Sequence, residues 1–585
     1  MSILNESLAG QISRNTNRVS VKYDKTVVAP DNNRSYVSGD KSVPLKYQTI
    51  PEMLRDTVAK FGPREAIVFP SHNLCLSYYD FDREIDALAS GFLALGLQKG
   101  ERIGIWSPNN LEWVLTQYAT ARIGLILVNI NPAYRLSELE FVLNKSGCKA
   151  LITAEKFKNS DYLNMIRTLA PELENCESGR LISAKLPALK IVIGINNDPG
   201  AGIFPYDDIR KLGGPAQQLR LDGISKSLSP DDPINIQFTS GTTGAPKGAT
   251  LTHFNLVNNA SNVVGKMNIS EIDRLCIPVP LYHCFGMVMG SLGCVSRGAC
   301  MVFPGEAFDP EETLSAVSKV KCTALYGVPT MFIAMLDHIR LKEFDVSSLR
   351  TGVMAGAPCP IEIMKRVIQE MNMAEVTICY GMTETSPVSF QSDVDDPIEK
   401  RVSTVGRIHP HVEVKIVDEN AADVPIGTQG ELWTRGYSVM QGYWDEDEKT
   451  RETIVRGGWM RTGDLAIIDG EGYCQIVGRL KDMIIRGGEN IYPSEIEEFL
   501  FTHPDIQDVQ VFGIPDEHFG EEVCAWIIPR IGSNIDEKSV KEHCQNQIAH
   551  YKIPKYVQIV QELPMTVTGK PQKFVMREEM IKILA

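Results

Sequence analysis

The sequence predicts an α/β protein: a large N-terminal domain of doubly wound sheets plus a β subdomain, followed by a small mobile α+β C-terminal domain. Three changes of pattern along the 585 residues support this fold class. From about residue 50 to 235, short apolar runs alternate with amphipathic stretches, which is typical of parallel sheets with helices on both faces. From residue 406 to 443, β-branched residues alternate with Gly and Pro turns, and after residue 482 the pattern becomes compact α+β.

The individual elements follow from the length and period of each run. Short apolar runs predict strands, and longer stretches with one apolar face predict helices. In the large domain the predicted strands are residues 102–106, 125–130, 150–153, 189–195, 299–303 and 323–326, and the helices are 111–123 and 137–143. In the C-terminal part the predicted helices are 494–502 and 538–550, and the strands are 509–513 and 523–529.

The predicted domains are a leader over residues 1–40, a large domain over 41–481 with its β subdomain at about 406–481, and a C-terminal domain over 482–585. The boundary lies at Lys481 and Asp482. This stretch is not a Gly/Ser-rich linker, so any motion between the domains is predicted to be a hinge about one or two residues.

Charge and cysteine content exclude several classes of protein. A net charge of −14 and a pI near 5.4 argue against nucleic acid as the main partner, because phosphate backbones need a basic surface. The 13 cysteines are scattered and odd in number, which favours free thiols over a disulfide framework or a zinc site. No transmembrane segment is predicted, since Pro278, Pro280 and His283 interrupt the long uncharged stretch at residues 275–296.

The first 22 residues contain Arg14, Arg18 and Lys22 but a single acid, Glu6. This acid-poor, basic composition is typical of a mitochondrial transit peptide. A solvated leader of no targeting function remains the alternative. The predicted location is therefore the mitochondrial matrix, or otherwise the cytoplasm.

A ten-residue loop after the apolar run at 234–238 is the strongest local signal. Its glycines let the backbone approach a ligand closely, and its amide groups, hydroxyls and single lysine suit a polyphosphate. A G-K-[ST] ending is absent, so the loop is not a Walker A motif. The candidate nucleotide-binding residues are Thr239, Ser240, Gly241, Thr242, Thr243, Gly244, Ala245, Pro246 and Lys247.

Three further motifs carry polar groups that suit a nucleotide. Tyr380 to Glu384 follows another apolar run, and a hydroxyl beside a carboxylate can hold a phosphate oxygen and Mg²⁺. Asp464 and Arg479 supply an acid for ribose hydroxyls and a base for phosphate or sugar oxygens. A glycine before Lys570 indicates a turn that presents this lysine. Taken singly, Glu384 is more typical of a helix N-terminal acid, Asp464 and Arg479 of a surface ion pair, and the residues around Lys570 of a solvated basic face.

These motifs, in this order, resemble the acyl-adenylate-forming superfamily of acyl-CoA synthetases, luciferases and carrier-loading adenylation domains. The resemblance covers nearly all of residues 50 to 580 and is greatest to the medium-chain acyl-CoA synthetases, through the segments 232–241 and 481–493. One departure is Pro571, where the family usually has an aliphatic residue. A proline there removes the backbone N–H next to Lys570.

The resemblance implies a role for each motif residue. It makes 239–247 the phosphate loop, Gly356, Ala357 and Pro358 the adenine contact, and Tyr380 a nucleotide-binding residue. It also implies that Thr383 contacts the α-phosphate, Glu384 holds Mg²⁺, Asp464 and Arg479 bind the nucleotide, Lys570 drives adenylation, and His283 lies beside the acyl carboxylate. Lys481 and Asp482 match the hinge, and Gly488 the pantetheine passage.

The implied reaction has two halves, with ATP, Mg²⁺ and CoA as the small molecules required. A carboxylate, expected to be a medium-chain fatty acid, attacks ATP to give acyl-AMP and pyrophosphate, and CoA then takes the acyl group. Residues 281–290 contain no Asp or Glu to receive an amino group, which favours an apolar acyl chain. The 15 residues after Lys570 leave no room for a carrier domain. A luciferase-like oxygenase and an inactive nucleotide-binding regulator remain alternatives.

Overall fold

The structure is a computed structural model. It describes residue 30 and residues 33–239, 246–357, 359–487, 489–545, 547–566 and 570–584. Several predicted positions lie outside these described residues: the candidate transit segment, Ser240, Gly241, Thr242, Thr243, Gly244, Ala245, Pro358 and Gly488.

The first large sheet is parallel over six strands and ends in two antiparallel ones. The two strands that flank the predicted phosphate loop in the sequence are neighbours in this sheet and pair antiparallel. Its strands, eight among the described residues, are in spatial order Phe204–Pro205, Ile191–Ile195, Ala150–Ala154, Arg102–Trp106, Ile126–Asn129, Pro233–Thr239, Lys247–Thr252 and Gly442–Tyr443.

The second large sheet is parallel at its centre and antiparallel at both edges. The loops at the carboxyl ends of its parallel strands carry candidate site residues, among them Gly356 and Thr383. Within the described part of the chain its nine strands run Arg407–Ile408, Val388–Gln391, Glu375–Gly381, Thr351–Ala355, Ala324–Gly327, Arg274–Cys276, Cys300–Val302, Glu65–Phe69 and Leu74–Ser77.

Helices cover both faces of these sheets, as alternating patterns require. Several begin with reciprocal caps, such as Thr49 with Glu52 and Ser77 with Asp80. The helices of this part are Ile50–Phe61, Tyr78–Ala94, Leu111–Arg122, Leu136–Ser146, Tyr162–Leu169, Tyr206–Leu212, Pro215–Ser225, His253–Lys266, Gly293–Arg297, Pro310–Val320, Pro329–Leu336, Ile361–Glu370, Ile398–Ser403 and Asp447–Thr453, with a π-helix at Phe285–Leu292. Over the described residues, none of the helices combines the length and the apolar character that crossing a membrane requires.

A third, antiparallel sheet forms the β-rich region. Its strands are Tyr36–Ser38, Val412–Val417, Gly430–Gly436, Trp459–Ile468 and Ile454–Val455, with Cys474–Arg479 paired to Trp459–Ile468. The strand Tyr36–Ser38 lies at the end of residues 1–40, the predicted leader, whose extent stays a prediction. Val37 is 2% exposed in this sheet, because the strand pairs with residues 413–415 far along the chain.

The C-terminal region has its own sheet and core. The strands are Glu489–Ile491, Ile484–Arg486, Gly520–Pro529 and Ile506–Asp516, with Tyr556–Ile559 paired to Gly520–Pro529, and the helices are Pro493–Leu500, Glu537–Cys544 and Lys573–Leu584. The predicted helix 538–550 ends at Cys544, since Gln545 takes extended backbone angles. The α/β fold class is confirmed, and the exact domain boundary at 481/482 stays a prediction.

We expect Asp273→Ala to destabilise the large domain by about 2 kcal/mol, because it removes a buried carboxylate and leaves the half-buried Arg350 guanidinium with only Glu375 as an ion-pair partner. The Asp273 carboxylate, 3% exposed, accepts hydrogen bonds from Ser270, Thr323 and Arg350 and so joins three neighbouring strands of the second sheet. The measurement is the shift in the guanidine hydrochloride concentration at the midpoint of unfolding, converted to a free energy of unfolding. Glu375→Gln is the control, because this more exposed partner of Arg350 should contribute less than about 1 kcal/mol. Equal shifts for the two variants would contradict the assignment.

Candidate active site

Two antiparallel strands, Pro233–Thr239 and Lys247–Thr252, flank the predicted phosphate loop. Thr239 and Lys247 form the last pair of the antiparallel ladder, so the loop begins and ends on neighbouring backbone positions. The Thr239 hydroxyl donates to the carbonyl of Lys247 at 3.4 Å, and Pro246 leads into the second strand. The Lys247 ammonium lies 5.1 Å from the ring centroid of Tyr443. The hairpin therefore fixes the base of the loop and the lysine together.

Thr383 and Glu384 lie in a 3₁₀ turn directly after the strand Glu375–Gly381. Both are buried, at 7% and 6% exposure. The Glu384 carbonyl accepts from the amide of Met440 at 2.9 Å, and its carboxylate Oε1 accepts from the Tyr443 hydroxyl at 2.9 Å. Burial, and then the Glu384 charge, raise the pKa of Tyr443 far above its usual value, so this hydroxyl keeps its proton.

The Glu384 carboxylate fits Mg²⁺ better than a metal that needs three or more protein ligands. Among the described residues, no group of three or more His, Cys, Asp or Glu side chains could hold a metal ion, and the Tyr443 hydroxyl engages Oε1 of the Glu384 carboxylate. Mg²⁺ commonly binds through one or two carboxylates, with substrate phosphates and water completing its octahedron. One buried carboxylate beside a phosphate loop is such a donor set.

Asp464 and Arg479 lie opposite each other in a β-hairpin, which explains their 15-residue spacing. They are a direct pair in the ladder between strands Trp459–Ile468 and Cys474–Arg479, and Arg479 Nε lies 3.1 Å from Asp464 Oδ1. The Tyr380 hydroxyl donates to the other oxygen, Oδ2, at 2.5 Å. Burial, and then the Asp464 charge, raise the pKa of Tyr380, so the tyrosine remains a neutral donor. The structure thus brings three predicted nucleotide residues together.

Lys570 reaches this site from the C-terminal region. A Cβ placed on Gly356 would lie 3.6 Å from Lys570 Cε, which is van der Waals distance, so the lysine side chain packs against this glycine. The φ of Gly356, +94°, is a backbone conformation that favours glycine. Burial, and then Arg479, lower the pKa of Lys570, while Asp464 and Glu384 oppose that shift. Ala357 is half-buried in the same loop as Gly356. The lysine therefore lies within electrostatic range of the nucleotide carboxylate and the metal candidate.

The missing N–H of Pro571 does not deprive the Lys570 turn of its hydrogen bonds. The Lys570 amide donates to Thr566 Oγ1 at 2.9 Å, and the Thr566 amide donates to the Lys570 carbonyl at 2.8 Å. The next amide, of Gln572, donates to the Pro564 carbonyl at 2.8 Å. The described hydrogen bonds of the turn thus come from residues on either side of the proline.

His283 precedes the buried π-helix Phe285–Leu292. Its Nδ1 accepts from the Phe285 amide at 3.3 Å, which assigns the proton of the neutral ring to Nε2. Burial, and then Lys570, lower the pKa of His283 to about 3. The next residue, Cys284, donates to Gln237 Oε1 at 3.1 Å, and burial raises its thiol pKa to about 12. The histidine is a neutral N–H donor and the cysteine an inert thiol.

Lys481 and Asp482 lie just beyond the strand that ends at Arg479. Lys481 is exposed, and the Asp482 amide donates to the Arg479 carbonyl at 3.1 Å. Two side-chain hydrogen bonds join residues before the predicted hinge to residues after it. Gln429 Nε2 donates to the Tyr492 hydroxyl at 2.5 Å, and the Ser494 hydroxyl donates to the Val477 carbonyl. These contacts join the regions on either side of the predicted hinge.

Sequence reasoning missed Tyr443, Gln237 and Cys284. Tyr443 contacts both Lys247 and Glu384, and Gln237 lies on the strand that leads into the phosphate loop. A Gly-Tyr pair in a β-rich stretch carries no spacing signal of its own. Only the pairing of strand Gly442–Tyr443 with Lys247–Thr252 reveals its place.

A glycine-rich hairpin loop, a buried carboxylate and a lysine from a second region define a site for activating a substrate with a nucleotide. The comparisons with known proteins agree. Residues 54–444 match the family described as AMP-binding enzyme, and residues 495–570 match the AMP-binding enzyme C-terminal domain. The chain belongs to the AMP-binding enzyme family, which confirms the predicted resemblance to acyl-adenylate-forming enzymes.

Individual relatives cover nearly the whole chain. A putative acyl-CoA synthetase, YngI, of Bacillus subtilis is 47% identical over 92% of this chain and 98% of its own. The mitochondrial medium-chain acyl-CoA ligase ACSF2 of Danio rerio is 46% identical over 97% of this chain and 94% of its own. The crystal structure of the anthranilate CoA ligase AuaEII with anthranoyl-AMP matches with a TM-score of 0.80 at 26% identity, over 92% of this chain and 98% of that one.

We expect His283 to stay neutral near pH 7 and to cost stability in acid. Its pKa is lowered from 6.5 to about 3, so its contribution is complete above about pH 6.5 and is lost as pH falls toward 3. Wild type should therefore lose stability relative to His283→Asn by about 1.4 kcal/mol per pH unit within this window. Denaturant unfolding of both proteins at several pH values measures this difference. A difference that does not change with pH would show that His283 is not held neutral.

Proposed function

We propose that the chain is an ATP-dependent acyl-CoA ligase that activates a fatty acid, of medium chain length, to acyl-AMP and then transfers the acyl group to CoA. The observation that carries the proposal is the position of Lys570. This lysine comes from the C-terminal region, packs against Gly356 and interacts electrostatically with Asp464 and Glu384 of the large domain. Support comes from the relatives, whose names are those of acyl-CoA synthetases and medium-chain acyl-CoA ligases.

In the first half-reaction the substrate carboxylate attacks the α-phosphate of ATP, and pyrophosphate leaves. Both reactants are anions, so the site must supply positive charge before they can approach. In our proposal Lys247 and the loop amides bind the β- and γ-phosphates, Thr383 binds the α-phosphate, and Lys570 stabilises the charge between the two reactants. Glu384 would hold Mg²⁺, which when bound neutralises phosphate charge.

The remaining residues orient the nucleotide and the acid. Asp464 would accept the ribose hydroxyls, with Arg479 and Tyr380 fixing its carboxylate, and Gly356 with Ala357 and Pro358 would leave a narrow slot for adenine. The Nε2–H of His283 would donate to the substrate carboxylate without adding charge. The buried, acid-free π-helix that follows gives this end of the site an apolar wall.

In the second half-reaction the CoA thiol attacks the acyl carbonyl and AMP leaves. Lys570 lies within electrostatic range of Asp464 and Glu384, where the acyl-AMP would form. We therefore propose that rotation about Lys481 and Asp482 removes it and brings Gly487 and Gly488 to the CoA entrance. The bonds Gln429–Tyr492 and Ser494–Val477 would break in that rotation. The location we propose is mitochondrial, as for the ACSF2 relatives, although the bacterial relative shows that such chains also work outside mitochondria.

The purified protein should convert ATP, CoA and a medium-chain fatty acid into AMP, pyrophosphate and acyl-CoA. The measurement is the CoA-dependent release of AMP over a series of saturated fatty acids from short to long. The highest kcat/KM should fall in the medium range, as for relatives named medium-chain acyl-CoA ligases, while the apolar acyl wall accounts for a preference for alkyl chains over polar acids. Light emission in place of acyl-CoA would favour a luciferase-like oxygenase. Absence of pyrophosphate release with every acid would favour an inactive regulator.

We expect Lys570→Ala to slow adenylation by about 10²–10³-fold and to leave thioester formation from supplied acyl-AMP largely unchanged. The reason is that charge between carboxylate and α-phosphate develops only in the first step. Lys481→Pro should do the reverse, since proline restricts the backbone rotation at the proposed hinge. Each half-reaction is assayed separately for each variant. Equal slowing of both halves in Lys570→Ala would refute the two-position account.

A further inference from the structure

One tyrosine lies between two groups that the proposed function uses for different purposes. Tyr443, 8% exposed, donates its hydroxyl to Glu384 Oε1 at 2.9 Å. The ammonium of Lys247 lies 5.1 Å from the centroid of the same ring. The hydroxyl edge of Tyr443 thus holds the carboxylate assigned to the metal, while its face holds the lysine assigned to the phosphates.

The backbone around Tyr443 leaves the side chain little freedom. Tyr443 pairs with Ala249 at the edge of the first sheet, and its amide donates to Thr450 Oγ1 at 2.9 Å. Gly442 has a φ of +153°, and a Cβ there would lie 2.8 Å from Thr450 Cγ2, so a larger residue would strain the backbone and displace Thr450. The backbone amide of Trp444 donates to the Gly248 carbonyl at 2.7 Å. The ring is therefore held from both sides along the chain.

The arrangement keeps two opposite charges from neutralising each other. Among the ion pairs of the described residues, Lys247 and Glu384 are not partners, although both contact Tyr443. A direct pair would engage the carboxylate that the metal needs and the ammonium that the phosphates need. A neutral hydroxyl and an aromatic face satisfy both groups and leave their charges available.

We propose that Tyr443 is a positioning residue that couples the metal carboxylate to the phosphate-loop lysine, so that metal and nucleotide bind as one unit. The proposal rests on the roles of Glu384 and Lys247 in the proposed function. The hydroxyl orients Glu384 so that Oε2 faces the metal. The ring orients Lys247 toward the phosphates.

Two substitutions separate these effects. Tyr443→Phe keeps the ring and removes the hydroxyl, and it should weaken Mn²⁺ binding to the protein–ATP complex on the order of tenfold while metal-free ATP binds as before. Tyr443→Leu removes both, and it should also weaken metal-free ATP binding about threefold. Mn²⁺ stands in for Mg²⁺, and its electron paramagnetic resonance signal reports binding without turnover.

Tyr473→Phe is the matched control. Tyr473 is likewise buried, donates to a carboxylate (Asp396, 2.7 Å) and lies against cations, with Lys400 4.5 Å from the ring centroid, but outside the site. Its variant should lower the melting temperature about as much as Tyr443→Phe and leave Mn²⁺ binding unchanged. Rescue of adenylation in Tyr443→Phe by raised metal concentration would support the proposal.

The outcomes are distinguishable. Unchanged Mn²⁺ binding in Tyr443→Phe, with a melting temperature lowered as in the control, would overturn the proposal and leave Tyr443 a structural residue. Glu384→Gln combined with Tyr443→Phe should bind Mn²⁺ no more weakly than Glu384→Gln alone, and additive losses would also overturn it. If Glu384→Gln binds Mn²⁺ like wild type, both the metal assignment of Glu384 and the proposed role of Tyr443 fail. The ligase assay tests the proposed reaction independently of that result.

Discussion

The repulsion between two anions is the constraint around which this site is organised. A carboxylate and a triphosphate approach only where positive charge has been fixed in advance. The two lysines proposed to supply it come from different regions, Lys247 from the tip of a hairpin and Lys570 from the turn before the last helix. Because one of these charges belongs to the C-terminal region, the electrostatics of the site depend on where that region lies. In the proposed mechanism, a movement of the C-terminal region therefore also changes the net charge of the site.

The same constraint explains why acids surround the lysine. Burial and Arg479 lower the pKa of Lys570, and Asp464 and Glu384 oppose this shift. Those two carboxylates are the ones proposed for the ribose and the metal. In the structure they stabilise the Lys570 ammonium. In the proposed mechanism, bound nucleotide would engage both carboxylates while its phosphates pair with the lysine, so that no group would be left as an isolated buried charge.

Much of this was predictable because the motifs lie at strand ends. The strand at 102–106 was predicted to the residue, and the sites at Thr239, Thr383 and Asp464 each adjoin or lie within a predicted or observed strand. Local pattern could not reveal contacts between distant segments. The three-residue strand Tyr36–Ser38 exists only through its pairing with residues 413–415, and Tyr443 matters only through Glu384 and Lys247. The π-helix Phe285–Leu292 was likewise not predictable, because nearly all its residues are apolar and so show no period that would distinguish it from an α-helix or a strand.

The short segment 438–444 shows how the geometry is fixed by backbone rather than by flexible side chains. The carbonyl of Ser438 accepts from the Ser386 hydroxyl at 2.7 Å, and the amide of Met440 donates to the Glu384 carbonyl at 2.9 Å. The amide of Gln441 then donates to the Thr250 carbonyl at 2.9 Å. The segment therefore joins the turn of one large sheet to the hairpin of the other. Since these hydrogen bonds join the strand of Lys247 to the turn of Glu384, the lysine proposed for the phosphates and the carboxylate proposed for the metal are held near each other before any ligand arrives, which reduces the reorganisation that ligand binding requires.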